Sequence, residues 1–381
     1  MNILLFVIGA AIVYWLQMLF CKLTWNYKLK ADARFSENQA TEGDNVSLTI
    51  TMENHKVLPI VTVKANVVVD RGLEFKDQSN LAVSDKNYRS EIFSMRSFEK
   101  VQREVSLFCA KRGYYHIDGI DFVGNDLFYT CRFLAHQKVN SNICVYPGKA
   151  DAWQLMVATQ KMTGETVVRS SDCDDPFTFR GIRQYQGFDP IRDINWKATA
   201  KTGELRVNIH DFTADQEIAI ILDTEWDALL KPDNLLEESI RIAAGMADEF
   251  IGKGVTTSMY TNGRDCLTNE VFEIGGGANV QHSEAIRYGL ARIQIPKQKK
   301  ESTLLEVLKT QIDRMDAQPN RKVSWVMIST ETNQLVAEMF KDLSERAVKA
   351  HWIIPAHSQQ EIPEEIMQNP DVMYWEVPYG K

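Results

Sequence analysis

A run of acidic side chains follows a short, wholly apolar segment in the second half of the chain. Asp223, Glu225 and Asp227 come at alternate positions directly after the apolar residues Ile218–Leu222. Carboxylate oxygens are the ligands that hard cations such as Mg²⁺ prefer, and a carboxylate-bound divalent metal activates water. The spacing therefore indicates either a cation-binding site or a metal-dependent hydrolase. Without a metal, Asp223 would cap the following loop or pair with an arginine.

A segment rich in arginine, aspartate and aromatic residues precedes this run. It contains Arg183, Tyr185, Asp189, Arg192 and Trp196. Arginine forks pair with carboxylates through two parallel hydrogen bonds, and Asp189 offers such a partner within the segment itself. We expect a charged seam between two domains, which either packs them together or serves as a docking surface.

Familiar catalytic motifs are absent from the sequence. There is no nucleophile elbow of the Gly-x-Ser-x-Gly type, no glycine-rich loop with a Walker lysine and no His-Glu-x-x-His zinc motif. The net charge of −8 excludes most nucleic-acid binders, which carry a basic face. These observations favour a protein that binds other proteins over an enzyme.

The connector and several other motifs resemble the bacterial domain-of-unknown-function 58 family. Within the connector, the match is carried by Arg183, Tyr185, Asp189, Arg192, Ile194, Trp196 and Ala200. Elsewhere it is carried by Thr41–Asp44, Lys111–Tyr115, Asp126–Phe128 and Val145–Pro147. The resemblance implies a von Willebrand factor A-like domain after the connector. It also implies a MoxR-type AAA+ ATPase as partner, in the assembly or maturation of envelope proteins.

Such domains carry a metal-dependent adhesion site, which the resemblance places after the first strand of the domain. Asp223 matches its first aspartate, whereas Glu225 and Asp227 replace its two serines. Ser302 or Thr303, at a predicted helix start, stands for its threonine. The resemblance thus implies a degenerate Mg²⁺ site formed by Asp223, Glu225, Asp227, Ser302 and Thr303.

The first residues of the chain are strongly apolar. Ile3–Cys21 has Gln17 as its only clearly polar member, and 19 residues at ~1.5 Å each give roughly the ~30 Å hydrocarbon thickness of a bilayer. A signal peptide is the rival interpretation, but it would begin with basic residues. Because Lys22, Lys28 and Lys30 follow the span, we expect a single-pass protein of the inner or plasma membrane with its bulk in the cytoplasm.

The rest of the chain shows two different periodicities. From Arg34 to Pro147, short segments such as Val46–Met52 alternate apolar and polar residues, which is typical of an antiparallel sandwich. From Asp215 onward, apolar strands alternate with amphipathic helices, which predicts a mostly parallel sheet with helices on both faces.

The predicted fold class is α+β multidomain. We expect an N-terminal transmembrane helix at residues 1–22, an immunoglobulin-like β-sandwich at 34–147, a connector at 148–213, and a von Willebrand factor A-like α/β domain of Rossmann type at 214–381. The favoured function is a membrane-anchored adaptor without catalytic residues. The alternatives are a hydrolase using Asp223, Glu225 and Asp227, and an externally facing adhesion or sensor module.

Overall fold

The computed structural model describes residues 2–77, 79–125, 130–170, 179–185, 194–210, 217–226, 232–296, 303–317, 323–358 and 362–378. The chain divides into two compact units, Met1–Gly148 with Leu290–Arg292, and Lys149–Gly289 with Ile293–Lys381. Each unit has its own sheets and its own hydrophobic core.

The first unit consists of one helix followed by β-strands. Its elements are α1 (Asn2–Thr24), β1 (Leu29–Phe35), β2 (Gln39–Thr41), β3 (Asn45–Asn54), β4 (Ile60–Val69), β5 (Leu73–Phe75), β6 (Leu81–Val83), β7 (Asn87–Met95), β8 (Lys100–Cys109), β9 (Gly113–Asn125) and β10 (Arg132–Tyr146).

The strands form two sheets that share one core. Within the described residues, their orders are β1-β3-β8-β5 and β2-β10-β9-β4-β7-β6, and all neighbours are antiparallel except β2 and β10. In β3 every second side chain from Val46 onward is buried, as the alternation predicted. Leu48 and Ile50 from one sheet and Phe93 and Phe122 from the other contribute to this core.

Helix α1 is apolar around its circumference, and most of its described side chains are exposed. The segment Phe6–Thr24 is long and apolar enough to cross a membrane, and none of its apolar window is buried within the protein. A signal sequence near an N-terminus has the same properties. The predicted apolar helix is therefore present, and its properties fit either a membrane span or a signal sequence.

The end of α1 is fixed to the sandwich. The Lys56 ammonium donates to the carbonyl oxygens of Thr24 (2.8 Å) and Trp25 (2.7 Å), at a helix end where the last carbonyls have no partner within the helix. Burial lowers the pKa of Lys56. The Trp25 ring stacks on Phe133 at 6.1 Å and lies so close to Gly124 that a side chain there would overlap it.

Two further contacts join α1 to the β9–β10 hairpin. The Tyr14 hydroxyl lies 2.7 Å from the Thr130 hydroxyl, and the Cys131 thiol donates to the Met18 sulfur over 3.5 Å. The hairpin therefore runs beside the carboxyl-terminal half of the helix.

Strand β7 carries a buried ion network on its inward face. Arg89 Nε donates to Glu91 Oε1 (2.7 Å), and Arg103 Nη1 donates to the other oxygen of Glu91 (2.8 Å). Arg89 also pairs with Asp77 (3.1 Å) and lies over the Phe75 ring at 5.3 Å. Both Arg89 and Glu91 are buried, and each has partners of opposite charge.

The second unit alternates helices and strands. Its elements are α2 (Ala152–Ser170), β11 (Phe179–Gln184), α3 (Trp196–Thr202), β12 (Arg206–His210), β13 (Glu217–Leu222), α4 (Asp233–Gly252), β14 (Thr256–Asp265), β15 (Val271–Gly277), α5 (Val280–Arg292), β16 (Ile293–Gln294), α6 (Leu304–Ala317), β17 (Val323–Ile328), α7 (Gln334–Arg346), β18 (Lys349–Ala356), α8 (Glu364–Met367) and β19 (Val372–Glu376).

The main sheet of this unit is mostly parallel, as predicted. Its order is β15-β14-β13-β17-β18-β19; β15 and β16 run antiparallel to β14, while the other neighbours are parallel. Ala219 and Ile221 of β13 pack in one core cluster with residues of α6 and α7. Ile220 and Leu222, which alternate with them, are buried on the opposite face, and α4 contacts β13.

Candidate functional site

The predicted acidic run lies where the strand order of the main sheet reverses. From β13 the chain goes first to β14 on one side and later to β17 on the other. In open α/β sheets, ligands bind beyond the carboxyl ends of the strands at this position. Asp223 is the first residue after β13, and its amide still donates to the carbonyl of Ile328 in β17 (2.9 Å).

Asp223 is buried and accepts three hydrogen bonds. One oxygen accepts from the Asn262 side chain (2.7 Å) and from the Glu225 amide (3.0 Å), and the other accepts from the Ser329 hydroxyl (2.7 Å). Burial and then the negative charge of Glu331 raise the pKa of Asp223 to about 7. The hydrogen bonds oppose that rise, because they favour the charged form.

Glu225 joins Asp223 to the start of α6. It accepts from the Thr303 amide (2.8 Å) and the Thr303 hydroxyl (3.1 Å). The Asn262 side-chain amide donates to Glu225 (3.2 Å) as well as to Asp223, so it bridges the two carboxylates. Three predicted site residues thus meet: Asn262 joins Asp223 to Glu225, and Glu225 binds Thr303.

Ser329 and Glu331 close the cluster from the end of β17. The Ser329 hydroxyl, which donates to Asp223, accepts from the Glu331 amide (3.0 Å), and both residues are buried. The resemblance also implies an aspartate after a later strand, but Ser329-Thr330-Glu331 offers none, and Glu331 was therefore not predicted. Asn262 was missed as well, because it lies within β14 among other polar residues and no apolar run marks its position.

A cleft of about 740 Å³ opens beside the cluster. Glu225, Asn262 and Thr303 line it, whereas Asp223 lies behind them. The remaining walls come from β14, β15, the residues after β16 and α6, where the lining residues include Tyr260, Arg264, Val271, Glu273, Pro296, Glu306 and Thr310. A cleft of this size accepts several side chains of a partner or a small molecule.

The structure describes three of the five predicted connector residues. Arg183 lies in β11, Tyr185 follows that strand and is half-buried, and Trp196 begins α3 and is exposed. Asp189 and Arg192 lie outside the described residues, so the charged seam stays a prediction. Asp223 does not require a connector arginine, because it is hydrogen-bonded by Asn262, Ser329 and the Glu225 amide.

The donors present fit a hard cation only in part. Carboxylate and hydroxyl oxygens are suitable ligands, and a cation would relieve the repulsion between Asp223 and Glu331. However, the oxygens of Asp223 and Glu225 already accept hydrogen bonds. Over the ranges that the structure describes, no group of three His, Cys, Asp or Glu side chains has metal-holding spacing.

Two members of the predicted metal site cannot be placed. Asp227 and Ser302 lie outside the described residues. The Mg²⁺ site therefore stays a prediction, and no chemical step is derived through it.

Comparison with known proteins identifies no family. No family model matches the chain, and no curated protein matches it. Among solved structures, a non-cellulosomal cohesin from the archaeon Archaeoglobus fulgidus is 14% identical, with 30% of this chain and 91% of that chain covered and a TM-score of 0.22. The CARDB domain of a Pyrococcus furiosus protein, solved with two metal ions, is 11% identical over 31% of this chain and 93% of that chain, also at 0.22.

A third similar structure is the major pilin SpaD from Corynebacterium diphtheriae, which is 11% identical over 29% of this chain and 33% of that chain, with a TM-score of 0.22. These values are too low to support any argument about what the present chain binds or does.

Proposed function

We propose that this chain is a membrane-anchored adaptor that binds other proteins. In this proposal α1 is the anchor, the first unit is an immunoglobulin-like sandwich, and the second is a von Willebrand factor A-like domain whose carboxyl sheet edge receives a partner. The observation on which the proposal depends most is the cleft of about 740 Å³ beside Glu225 and Thr303.

The chemistry of the cluster favours binding over turnover. The pKa of Asp223 is raised to about 7 by burial and the nearby Glu331, yet its carboxyl lies behind the cleft lining. The groups that do reach the cleft, Glu225, Asn262 and Thr303, are hydrogen-bonded to one another or to Asp223. Such a rigid, polar wall positions a partner well. A general base, by contrast, must reach the substrate, and Asp223 does not line the cleft.

The proposed partner is a MoxR-type AAA+ ATPase, and the clients are proteins of the cell envelope. The support for this is the sequence resemblance carried by Arg183, Tyr185, Asp189, Arg192 and Trp196. The apolar helix α1 would keep the adaptor at the inner or plasma membrane. The lysines after it favour a cytoplasmic location for both units, where an ATPase has its nucleotide.

A binding experiment with the full chain in lipid nanodiscs tests the adaptor role. We expect a purified MoxR-type ATPase to bind it differently with a non-hydrolysable ATP analogue and with ADP. Glu306→Arg, which places a cation in the cleft lining, is expected to weaken binding at least tenfold. Asp313→Arg is the matched control, because Asp313 is exposed on the same helix and does not line the cleft. Equal effects of the two variants would contradict the assignment of the cleft.

A metal-dependent hydrolase is the second candidate, favoured by the buried carboxylates Asp223, Glu225 and Glu331. If a divalent metal were held here, it would supply a polarised water, while Asn262 and Ser329 would orient the Asp223 carboxylate. Calorimetric titration with Mg²⁺ or Mn²⁺ distinguishes the candidates. Micromolar binding that disappears in Asp223→Asn, together with turnover of a defined substrate, would replace the adaptor proposal.

The externally facing adhesion or sensor module is tested by thiol labelling. Cys266 is half-buried in the second unit, and Cys109 is buried in the first. We expect a membrane-impermeant maleimide to leave Cys266 unlabelled in intact cells and to label it after lysis. Labelling in intact cells would place the units outside the cytoplasm.

A further inference from the structure

The last strand of the α/β unit has one side without a neighbouring strand. Strand β19 ends the sheet order β15-β14-β13-β17-β18-β19, and over the described ranges it pairs with β18 alone. The edge of a sheet presents main-chain N–H and C=O groups that can pair with another chain. The contacts that these groups make therefore decide whether the edge is closed or can receive a partner.

The hydrogen bonds to β18 show which residues of β19 face outward. The Trp352 amide donates to the Asp371 carbonyl (3.0 Å), and the Val377 amide donates to the Ala356 carbonyl (2.9 Å). Successive residues of a strand direct their main-chain groups to opposite sides of the strand. The residues whose main-chain groups point away from β18 are therefore Val372, Tyr374 and Glu376.

One end of this outward edge is occupied by a side chain. The Gln154 side chain in α2 donates to the Glu376 carbonyl (3.2 Å) and accepts from the Glu376 amide (3.1 Å). Two residues that lie opposite each other in antiparallel strands exchange the same pair of hydrogen bonds. The Gln154 side chain thus takes the position that a residue of an added strand would occupy.

The middle of the edge has no such cover. The Val372 amide donates to the Asn369 carbonyl (3.1 Å), whereas no described group bonds to the Tyr374 amide or carbonyl on the outward side. Tyr374 is exposed. Pro370 and Pro378 flank the strand, and proline has no amide hydrogen for a ladder. The open part of the edge is therefore short and centred on Tyr374.

Helix α2 adds apolar surface beside the open edge. Gln154, Val157 and Lys161 are spaced by three and four residues, so they lie on one side of the helix. This side faces the β19 segment, because the Lys161 ammonium also donates to the Pro370 carbonyl (2.7 Å). Val157 is 42% exposed, and Trp153, one turn before it, is 69% exposed. An apolar side chain that entered beside the edge would contact these two residues.

We propose that the edge of β19 receives an extended segment of a partner protein as an additional strand, which displaces the Gln154 side chain. An added strand pairs through its main chain, and every second side chain then points to the side of α2. The segment is expected to carry apolar residues at those positions, opposite Trp153 and Val157. This surface is separate from the cleft, because β19 and the cleft-lining strands β14 and β15 lie at opposite ends of the sheet.

An extended segment fits this edge better than a second copy of the chain does. If two copies paired through β19, each would lose its own Gln154 bonds, so four hydrogen bonds would be broken instead of two. Strand β19 has only five residues, so the pairing of two copies would form few new bonds in exchange. A partner segment breaks the bonds of one Gln154 alone.

Peptide binding to the full chain in lipid nanodiscs tests the proposal. The probe is a fluorescein-labelled heptapeptide of alternating threonine and valine with capped ends, and fluorescence polarisation measures its affinity. Gln154→Ala should bind the probe about fivefold more tightly than the wild type, because the Gln154 bonds no longer have to be broken. Gln160→Ala is the matched control and should leave the affinity unchanged, since Gln160 is exposed on the same helix and makes none of the described bonds to β19.

A second pair of variants changes the edge itself. Tyr374→Pro removes the outward amide and should weaken binding about tenfold, whereas Tyr374→Phe keeps the main chain and should bind like the wild type. Circular dichroism shows whether Tyr374→Pro is folded. Hydrogen exchange in the wild type needs no substitution, and we expect the probe to slow exchange at residues 372–377.

Equal affinities of Gln154→Ala and the wild type, or unchanged exchange at residues 372–377, would overturn the proposal. A dimer in sedimentation experiments that Tyr374→Pro dissociates would also overturn it, since a second copy would then occupy the edge. Glu306→Arg in the cleft should not affect binding of the probe. Failure at the edge of β19 and failure at the cleft are therefore distinguishable.

Discussion

The two units bury charge in opposite ways. In the sandwich, Glu91 lies between Arg89 and Arg103, so each charge of this network meets its opposite. In the α/β unit, Asp223 lies near Glu331, and its hydrogen-bond donors are the neutral groups of Asn262, Ser329 and a main-chain amide. The first arrangement neutralises its charges and the second leaves like charges close together.

This difference separates a structural role from a functional one. A buried ion pair with complete partners holds one geometry and changes little between pH 5 and 8. A buried carboxyl with a raised pKa changes its charge in that range, and such groups concentrate at functional sites. Disrupting each cluster should therefore have different consequences, and the substitutions below run from the largest expected effect to the smallest.

Replacing Arg89 should cause the largest loss of stability. Arg89→Met leaves Glu91 and Asp77 with one partner fewer, and the free energy of unfolding should fall by about 3 kcal/mol, because a buried charge loses its partner. Urea denaturation measures the change. The control is Arg34→Met, which removes an ion pair with Asp32 that is largely exposed, and it should alter stability by less than about 1 kcal/mol. Similar losses in both variants would show that the network is not a buried structural element.

Replacing Asp223 should act in the opposite direction and depend on pH. Folding raises the pKa of this carboxyl from 3.8 to about 7. Its contribution is therefore fully present below about pH 4 and is lost as the pH rises through 7. Asp223→Asn removes the charge, so its stabilising effect should appear above about pH 4 and should be larger at pH 8 than at pH 5 by about 2–3 kcal/mol.

Thermal unfolding at the two pH values measures this, with Asp313→Asn as an exposed control that should show no such dependence. Addition of Mg²⁺ sharpens the comparison. If Mg²⁺ stabilises the wild type at pH 8 but not Asp223→Asn, the cluster is a cation site. An Asp223→Asn variant less stable than the wild type at pH 8, in the absence of metal, would contradict the raised pKa.

Replacing Thr303 should have the smallest effect. Thr303→Val removes the hydroxyl that donates to Glu225 and keeps the main-chain amide, so about 1 kcal/mol should be lost. Thr310→Val is the matched control, since the Thr310 hydroxyl bonds only to the Glu306 carbonyl within the exposed face of the same helix. If Thr310→Val lowers the free energy of unfolding as much as Thr303→Val does, the hydrogen bond to Glu225 contributes little.

The same difference in buried charge decides how much of the sandwich could be predicted. Alternating or apolar residues predict strands at Val46–Met52 and Ile60–Val69, close to the observed limits of β3 and β4. Strand β7 was missed, because its inward positions hold Asn87, Arg89 and Glu91 before Phe93 and Met95. In the structure every second side chain of β7 is buried. Because the first three of these are polar or charged, the sequence shows no apolar alternation there. Helix α2 was missed too, since its apolar residues follow no clear helical stripe.

In the α/β unit the strand–helix alternation was sufficient to place most elements. The sequence pattern predicts β13 at Ile218–Leu222, α4 at Asn234–Gly252, α6 at Thr303–Ala317 and β17 at Val323–Ser329, and each lies within one residue of its observed bounds. The members of the cluster that follow a predicted strand or begin a predicted helix, Asp223, Glu225 and Thr303, were found for that reason. Asn262 was not, because β14 extends through it to Asp265, and sequence alone does not show which polar residue of a long strand faces the next loop.

Lys56 has a mechanical consequence for the whole first unit. Because its ammonium holds two carbonyls at the end of α1, and Trp25 is wedged against Gly124, the helix cannot swivel freely on the sandwich. If α1 is the membrane anchor proposed above, a change in its tilt, as when bilayer thickness varies, would rotate the sandwich with it. Membrane thickness and the direction in which the sandwich points would thus become linked quantities.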